Sequence, residues 1–198
     1  MEEFLFSKCS LAKLTKENLQ KCKPFSCGDS DLDDFFTNDF DNFRKQLLGK
    51  SYYFYHNEDK TEIVCVFTLS NSSIDSRHLP GSRRRKLTEH IPHEKSLSSY
   101  PATLIGRLGV NNNFQGKNIG SDLILFLKSW LLDEENRTAC RFLTVDAYNN
   151  DKTLQYYEKN GFLYLFSSEQ QEKDFIGMPE NKKLKTRLMY FDLLKFSM

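Results

Sequence analysis

A loop with two glycines, Gln115–Ser121, has the composition of a phosphate-binding segment. It lies between a run typical of a strand, which ends at Val110, and a run of apolar residues at helical spacing. The N-terminus of a helix carries unpaired amide N–H groups and the positive end of the helix dipole, so it attracts anions. Gly116 and Gly120 let the backbone approach a ligand without a Cβ in the way. The spacing therefore predicts a diphosphate site at the start of this helix.

The same loop lacks the features of two common nucleotide-binding motifs. No Lys-Ser or Lys-Thr pair follows the second glycine, as the loop of an ATPase requires. The G-x-G-x-x-G spacing of dinucleotide-binding folds is also absent. On these residues alone, a turn that merely joins a strand to a helix remains the alternative interpretation.

A second segment, Asn150–Phe162, has the signals of a helix that begins and ends sharply. An asparagine at its start can cap the first turn, and the Gly-Phe pair at its end suits a left-handed exit. Tyr156 and Tyr157 are about 100° apart on such a helix, so only one can point squarely into a site. Packing in the core is the alternative role for both tyrosines.

Together the two segments resemble the signatures of the GNAT superfamily of N-acetyltransferases. Gln115-x-x-Asn118-x-Gly120 is similar to Q/R-x-x-G-x-G/A, with asparagine where the family usually has glycine. Asparagine tolerates left-handed backbone angles, so this departure is mild. The second segment is similar to N-x-x-A-x-x-x-Y-E-x-x-G-F, with Thr153 in place of the usual alanine. The resemblance covers Ala102–Phe162.

The resemblance implies that acetyl-CoA is the cosubstrate and that an amine attacks its thioester directly. It also implies that the loop amides hold the pyrophosphate and that N–H groups of the preceding strand stabilise the oxyanion. The matched position makes Tyr157 the predicted general acid, which protonates the departing thiolate. The preceding strand holds no Asp or Glu, so the general base is unassigned. The predicted coenzyme-binding residues are Leu108, Gly109, Val110, Gln115, Gly116, Lys117, Asn118, Ile119, Gly120, Ser121 and Asn150.

Further positions resemble the GNAT-type toxins of toxin–antitoxin pairs, which acetylate the amino group of aminoacyl-tRNA. They are Phe25-x-Cys27-Gly28-x-x-x-Leu32-Asp33, Arg83–Lys86, Pro101, Gly106-Arg107-Leu108 and Val145-Asp146-Ala147. This resemblance implies a tRNA acceptor, an antitoxin as partner protein and a homodimer as a candidate assembly. A small-molecule or protein acceptor, and a non-catalytic acyl-CoA-binding module, remain alternatives.

Consecutive cations in this chain suit contact with an RNA backbone. The predicted substrate contacts are Arg83, Arg84, Arg85, Lys86 and Arg107. The alternative for the run of four is a solvated charged loop.

Periodicity predicts a mixed α/β fold. The predicted strands are Phe4–Leu14, Ser51–Tyr55, Thr61–Ser70, Ala102–Val110, Arg141–Tyr148, Phe162–Phe166 and Thr186–Leu194. The predicted helices begin near Asp31 and cover Ser121–Asn136 and Asp151–Asn160. We therefore predict a single domain over 1–198, with a GNAT-like central mixed β-sheet of about six to seven strands and helices on both faces.

Three segments need a separate expectation. The apolar residues after Asp31 recur at helical spacing and should face the core: Leu32, Phe35, Phe36, Phe40, Phe43 and Leu47. The polar segment Asn71–Tyr100 is too long for a plain connection, so we expect a short helix or a functional loop within it. Ser167–Lys185 is predicted to be a polar insertion.

Composition excludes several classes of protein. The 28 Lys and Arg residues balance 27 Asp and Glu residues, so no global field draws the chain to nucleic acid or an anionic membrane. No apolar run reaches the ~18–20 residues of a membrane span. Five scattered cysteines suit a reducing cytoplasm, which is the predicted location. Neither Cys22-x4-Cys27 nor His90-x2-His93 has the spacing of a structural zinc site, so no metal is predicted.

Overall fold

The computed structural model describes residues 4–89, 91, 97–136 and 139–197. Its strands are β1 (Cys9–Lys13), β2 (Lys50–His56), β3 (Ile63–Asp75), β4 (Ser99–Val110), β5 (Phe142–Tyr148), β6 (Leu163–Tyr164) and β7 (Thr186–Asp192). Its helices are α1 (Phe4–Lys8), α2 (Lys16–Gln20), α3 (Ser30–Asp34), α4 (Phe40–Lys45), α5 (Gly81–Thr88), α6 (Ile119–Leu132), α7 (Asp151–Lys159), α8 (Glu169–Ile176) and α9 (Leu194–Ser197). A π-helical turn, Phe35–Asp39, joins α3 to α4, and a 3-10 turn, Asn112–Phe114, precedes α6.

Within the described residues, seven strands form one mixed sheet in the order β1-β2-β3-β4-β5-β7-β6. The predicted fold class is confirmed. The chain divides into two compact units. The first unit holds Met1–Asn71 and Ile105–Asp133, and the second holds Ser72–Leu104 and Glu134–Met198. In the part of the chain that the structure describes, no helix is long and apolar enough to cross a membrane.

In the first unit, helices cover both faces of the sheet. Successive side chains of a strand point to opposite faces, and β3 shows this clearly. Phe67 faces α6, where its ring centroid lies 6.5 Å from that of Phe126 and 6.4 Å from that of Trp130. Val66 faces the other way and belongs to a buried cluster with Phe36. The prediction of helices on both faces holds for this unit.

In the second unit, β7 pairs antiparallel with both β5 and β6. Aromatic rings form the centre of its core. The ring of Phe142 lies edge-on to Tyr100 at 6.2 Å and to Tyr190 at 5.7 Å between centroids. Leu87, which is 2 % exposed, packs α5 into the same cluster.

The prediction for the start of the chain was wrong in part. Phe4–Lys8 forms α1 and only Cys9–Lys13 forms a strand; Leu5 is buried, whereas Phe6, Ser7 and Lys8 are all exposed, which breaks the alternation of a half-buried strand. The prediction that Leu47 faces the core was also wrong. Helix α4 ends at Lys45, and Leu47 then adopts a φ of 58° and is 92 % exposed.

Both polar segments contain regular structure. In Asn71–Tyr100, β3 continues to Asp75 and α5 is the expected short helix. In Ser167–Lys185, α8 begins where the side chain of Ser168 accepts a hydrogen bond from the N–H of Gln171. The strand predicted at Phe162–Phe166 is reduced to the two residues of β6.

Candidate active site

The loop before α6 is held open by two left-handed residues. Gly116 has a φ of +77°, and a Cβ at this position would meet nothing within 4 Å. Asn118 has φ 61° and ψ 7°, a conformation that favours glycine but that asparagine tolerates. Helix α6 begins directly after it at Ile119, two residues earlier than predicted. Asparagine thus replaces glycine in the signature without changing the backbone that the signature requires.

Several amides of this loop have no hydrogen-bond partner within the described residues. Among the described residues, no hydrogen bond is donated by the backbone N–H of Gly116, Lys117, Asn118 or Ile119. The N–H of Ser121, by contrast, donates to the carbonyl of Asn118 at 3.0 Å. Unpaired amides at the N-terminus of a helix can hold a diphosphate.

The side chain of Gln115 ties this loop to the rest of the first unit. Its Nε2 lies 2.9 Å from the carbonyl oxygen of Cys27, 3.0 Å from Oδ1 of Asn112 and 3.2 Å from the carbonyl oxygen of Val110. The amide therefore stabilises the loop, whereas the sequence assigned it only to the coenzyme. A contact across 88 residues leaves no local signal in the sequence.

Lys117 is oriented by aromatic rings. Its Nζ lies 4.9 Å from the ring centroid of Phe114 and 5.5 Å from that of Phe4. A cation over a ring face is attracted by the ring quadrupole. The ammonium is thus held at the exposed edge of the loop, where it adds positive charge beside the unpaired amides of Gly116–Ile119.

The end of β4 packs closely on the turn that precedes α3. Gly109 is buried, and a Cβ there would lie 3.1 Å from Sγ of Cys27 and 3.2 Å from Cζ of Phe25. Burial raises the pKa of the Cys27 thiol to about 11, so the thiol stays protonated and acts as packing material. Leu108 and Val110, on either side, are half-buried. The part of β4 predicted to stabilise the oxyanion is therefore held in place by the close packing at Gly109.

Arg107 points to the same face of β4 as the position of Gly109, since the two are two residues apart. Its guanidinium carbon lies 4.6 Å from the ring centroid of Phe35. Its Nη1 donates to the carbonyl of Gly106 at 3.0 Å, and its Nε is buried without a hydrogen-bond partner.

The second signature segment, Asn150–Phe162, lies in the second unit. It contains the predicted helix, α7, and both ends of that helix are capped. The Oδ1 of Asn150 accepts from the N–H of Thr153 at 3.0 Å and caps α7. At the other end, Gly161 has a φ of +80°, and the N–H of Phe162 donates to the carbonyl of Tyr157 at 3.0 Å. This is the hydrogen-bond pattern of a Schellman cap.

Tyr157 is the buried member of the tyrosine pair. It is 6 % exposed, and its ring centroid lies 4.9 Å from that of Tyr156 and 5.2 Å from that of Phe162. Burial raises its pKa well above the ordinary value near 10. The phenol is therefore protonated at neutral pH and can donate a proton.

The basic run Arg83–Lys86, predicted to contact RNA with a solvated loop as the alternative, lies within helix α5. Arg83 does not face solvent as a free cation, because its Nε donates to the carbonyl of Leu165 at 3.0 Å and its Nη2 donates to the carbonyl of Tyr164. Arg84, Arg85 and Lys86 are exposed. The predicted cluster of four cations is thus a group of three, presented on a helix that Arg83 fixes in place.

The weaker alternatives gain no support. All five cysteines are free thiols, and Cys9 and Cys65 are buried. Among the described residues, no group of three His, Cys, Asp or Glu side chains is arranged to hold a metal ion. His90 and His93 lie outside the described residues.

The fold and both landmarks can now be compared with known proteins. The sequence model of the acetyltransferase (GNAT) family matches residues 16–162. The chain therefore belongs to that family. It is an acyltransferase, and acetyl-CoA is its cosubstrate.

Solved structures share the fold along nearly the whole chain. The crystal structure of a tyrosine-to-phenylalanine variant of KacT gives a TM-score of 0.70 at 18 % identity, covering 96 % of this chain and 98 % of that chain. AtaT complexed with acetyl-methionyl-tRNAfMet gives 0.67 at 20 % identity, covering 96 % and 97 %. A variant AtaT toxin bound to acetyl-CoA and the C-terminus of the antitoxin AtaR gives 0.63 at 17 % identity, covering 97 % and 100 %. At these identities the likeness confirms the fold.

Proposed function

We propose that this chain transfers the acetyl group of acetyl-CoA to the α-amino group of an aminoacyl-tRNA. Acetyl-CoA supplies an activated thioester. The chain's own residues hold the coenzyme, orient the thioester and protonate the departing thiolate. The unpaired amides of Gly116–Ile119 support this assignment of the coenzyme end, because they form a cradle of suitable shape and polarity. Lys117 adds a cation beside them.

Acyl transfer to the amine needs an oxyanion site. The amine nitrogen bonds to the carbonyl carbon of the thioester. Negative charge then develops on the carbonyl oxygen, and N–H donors must stabilise it. We assign these donors to the backbone of Leu108, Gly109 and Val110. The packing of Gly109 on Cys27 supports this role, since it holds the strand in place while charge develops.

Tyr157 is assigned as the general acid. When the C–S bond breaks, the thiolate takes the phenol proton, and the phenolate is reprotonated from water. The desolvation that raises the pKa of Tyr157 supports this role, because it keeps the proton on the phenol at neutral pH. Burial raises the pKa of a thiol as well as that of a phenol, so the two shifts oppose one another in this proton transfer.

The acceptor amine must lose a proton, and β4 has no carboxylate to take it. An α-amino group has a reference pKa of about 7.7–8.0, against about 10.4 for lysine. A substantial share of an α-amine is thus neutral at physiological pH, and water can remove the last proton after attack. This requirement favours an aminoacyl ester over a lysine side chain or a polyamine.

Helix α5 supports an RNA acceptor. Arg84, Arg85 and Lys86 are exposed on it, and no carboxylate of the described residues forms an ion pair with them. Free cations on one helix can contact phosphates without reading sequence. The neighbour AtaT was solved with acetyl-methionyl-tRNAfMet, which carries the product of such a reaction.

A partner protein belongs to the same proposal. The AtaT variant toxin was solved with the C-terminus of an antitoxin, and we propose an antitoxin as the partner of this chain. A homodimer remains a candidate assembly. Expression of the chain alone should arrest growth, and co-expression of an antitoxin should relieve the arrest.

The test uses purified chain, labelled acetyl-CoA and a set of acceptors. Charged tRNA should gain acid-precipitable label, and mild base should release that label as an N-acetyl amino acid. Uncharged tRNA, which has the same backbone but no amine, is the matched control. Faster labelling of polyamines, peptides or small amines than of charged tRNA would overturn the proposal.

A further inference from the structure

Strand β4 separates two sides of the first unit. The coenzyme loop leads into α6, and α6 packs on the face of the sheet that Phe67 occupies. Arg107 and Gly109 point to the opposite face, which the Phe25 turn, α3 and the π-helical turn cover. Arg107 therefore lies on the side of β4 opposite to the coenzyme loop and α6.

The guanidinium of Arg107 is held in place but not neutralised. It stacks on the ring of Phe35, which is 6 % exposed, and the only hydrogen bond that the structure gives it among the described residues goes to the neighbouring carbonyl of Gly106. Its Nε is buried without a partner. A buried donor without a partner costs free energy unless a ligand or water accepts from it.

Two carboxylates of α3 and α4 have other partners. Asp33 accepts from the hydroxyl of Ser26 at 2.7 Å and from the N–H of Cys27 at 2.8 Å. Asp41 forms ion pairs with Arg44 at 2.7 Å and with Lys45 at 2.9 Å. In the part of the chain that the structure describes, Arg107 thus has no acidic partner.

The ring that contacts Arg107 belongs to the π-helical turn Phe35–Asp39. A π turn inserts a residue into a helix and occurs frequently at functional sites. Here it begins at Phe35, and the N–H of Phe40 donates back across five residues to the carbonyl of Phe35. The turn places Phe35 and Phe36 side by side in the buried layer, with ring centroids 5.2 Å apart.

We propose that Arg107 binds the phosphate of the 3′-terminal nucleotide of the acceptor RNA. The inference rests on the proposed function and specifies its acceptor side. In an aminoacyl ester the carboxyl of the amino acid is esterified, so the anion nearest the attacking amine is the 5′-phosphate of the terminal nucleoside. A guanidinium fork matches phosphate oxygens in geometry, and stacking on Phe35 orients that fork before binding.

The test compares two minimal acceptors, an aminoacyl-adenosine with a 5′-phosphate and the same ester without it. For the wild-type chain, the phosphate should lower the KM for the acceptor about tenfold, the effect expected of one charge-assisted contact. In Arg107→Met the ratio of the two KM values, without and with the phosphate, should fall to one. The KM for acetyl-CoA should be unchanged. Arg107→Lys keeps the charge without the fork and should restore part of the ratio. If a minimal acceptor is not turned over, its inhibition constant against charged tRNA gives the same ratio.

Arg84→Met is the matched control, because it removes an exposed arginine of α5. It should weaken whole tRNA and leave the ratio of the two minimal acceptors unchanged. Thermal melting must show that Arg107→Met is folded. A folded Arg107→Met chain that retains the phosphate ratio overturns the inference, as does a phosphorylated acceptor that neither reacts nor inhibits. A wild-type chain that acetylates no charged tRNA overturns the proposed function itself, and this inference with it.

Discussion

The two signature segments meet the same family pattern by different physical means. The loop Gln115–Asn118 is exposed, and its candidate binding groups are backbone amides shaped by left-handed residues. The helix α7 is closed at both ends, and its candidate group is one buried side chain, Tyr157. We expect a site made of backbone to tolerate a change of side chain, such as Asn118 in place of glycine, and a site made of one side chain not to tolerate it.

The largest effect should follow from removing the phenol oxygen. Tyr157→Phe should lower kcat by about 10²–10⁴-fold, the usual contribution of a general acid, while the Kd for acetyl-CoA stays unchanged. Tyr156→Phe is the matched control and should keep most of the activity. Thiol release and titration calorimetry measure the two quantities. Equal losses in both variants would remove Tyr157 from its proposed role.

A charge in the cradle should have the next largest effect. Gly120→Asp places a carboxylate near the pyrophosphate, and like charges about 4 Å apart repel strongly enough to raise the Kd for coenzyme A about 100-fold or more. Gly120→Asn has the same shape without the charge and should weaken binding much less. If calorimetry gives the two variants the same affinity, the diphosphate lies elsewhere.

The cap of α7 should matter for stability more than for chemistry. Asn150→Ala removes the acceptor of the Thr153 N–H, and should lower the free energy of unfolding by about 1 kcal/mol. Asn150→Ser keeps an acceptor at the cap and should restore most of the loss. Urea denaturation monitored by circular dichroism gives both values. A large loss of coenzyme affinity with unchanged stability would instead make Asn150 a direct ligand.

The smallest effect of a substitution should occur at the unusual residue of the loop. Asn118→Gly relieves a left-handed residue but loses the 3.1 Å hydrogen bond from its Nδ2 to Asp122. The two effects oppose one another, so the Kd for coenzyme A should change by less than about threefold. Asn118→Val is the contrasting variant, since a β-branched residue resists this conformation. Unchanged binding in the valine variant would show that the loop backbone does not set affinity.

The pH dependence of kcat should show no loss from phenol ionisation between pH 7 and pH 10. Burial raises the pKa of Tyr157 above its ordinary value, so the folded chain keeps the donor proton through this range. The stability of the fold, unlike kcat, should depend on this phenol above pH 10. There the phenol of the unfolded chain ionises first, so stability falls as pH rises. Tyr157→Phe should remove that part of the fall in denaturation experiments.

The sequence predicted most of what the backbone determines locally. The strands β2 and β3 and a mixed sheet of about six to seven strands follow from period and turn residues, whereas the two signature segments were recognised by their resemblance to a known family. It failed at Phe4–Lys8, because a five-residue segment that begins with three apolar residues suits a strand as well as a helix. It did not reveal the hydrogen bonds of Arg83 to Leu165 and of Gln115 to Cys27, because these partners lie more than 80 residues away. The π-helical turn shifts the register of its helix by one residue, and the spacing of phenylalanines does not reveal it.

Gln115 has a thermodynamic consequence. Its amide joins the coenzyme loop to the carbonyl of Cys27, and Cys27 abuts the strand at Gly109. A ligand that restricts the loop must also restrict this turn, and a ligand that settles on the turn must restrict the loop. Such linkage is reciprocal in free energy. The two substrates should therefore each tighten the binding of the other, and replacing Gln115 should make their affinities independent.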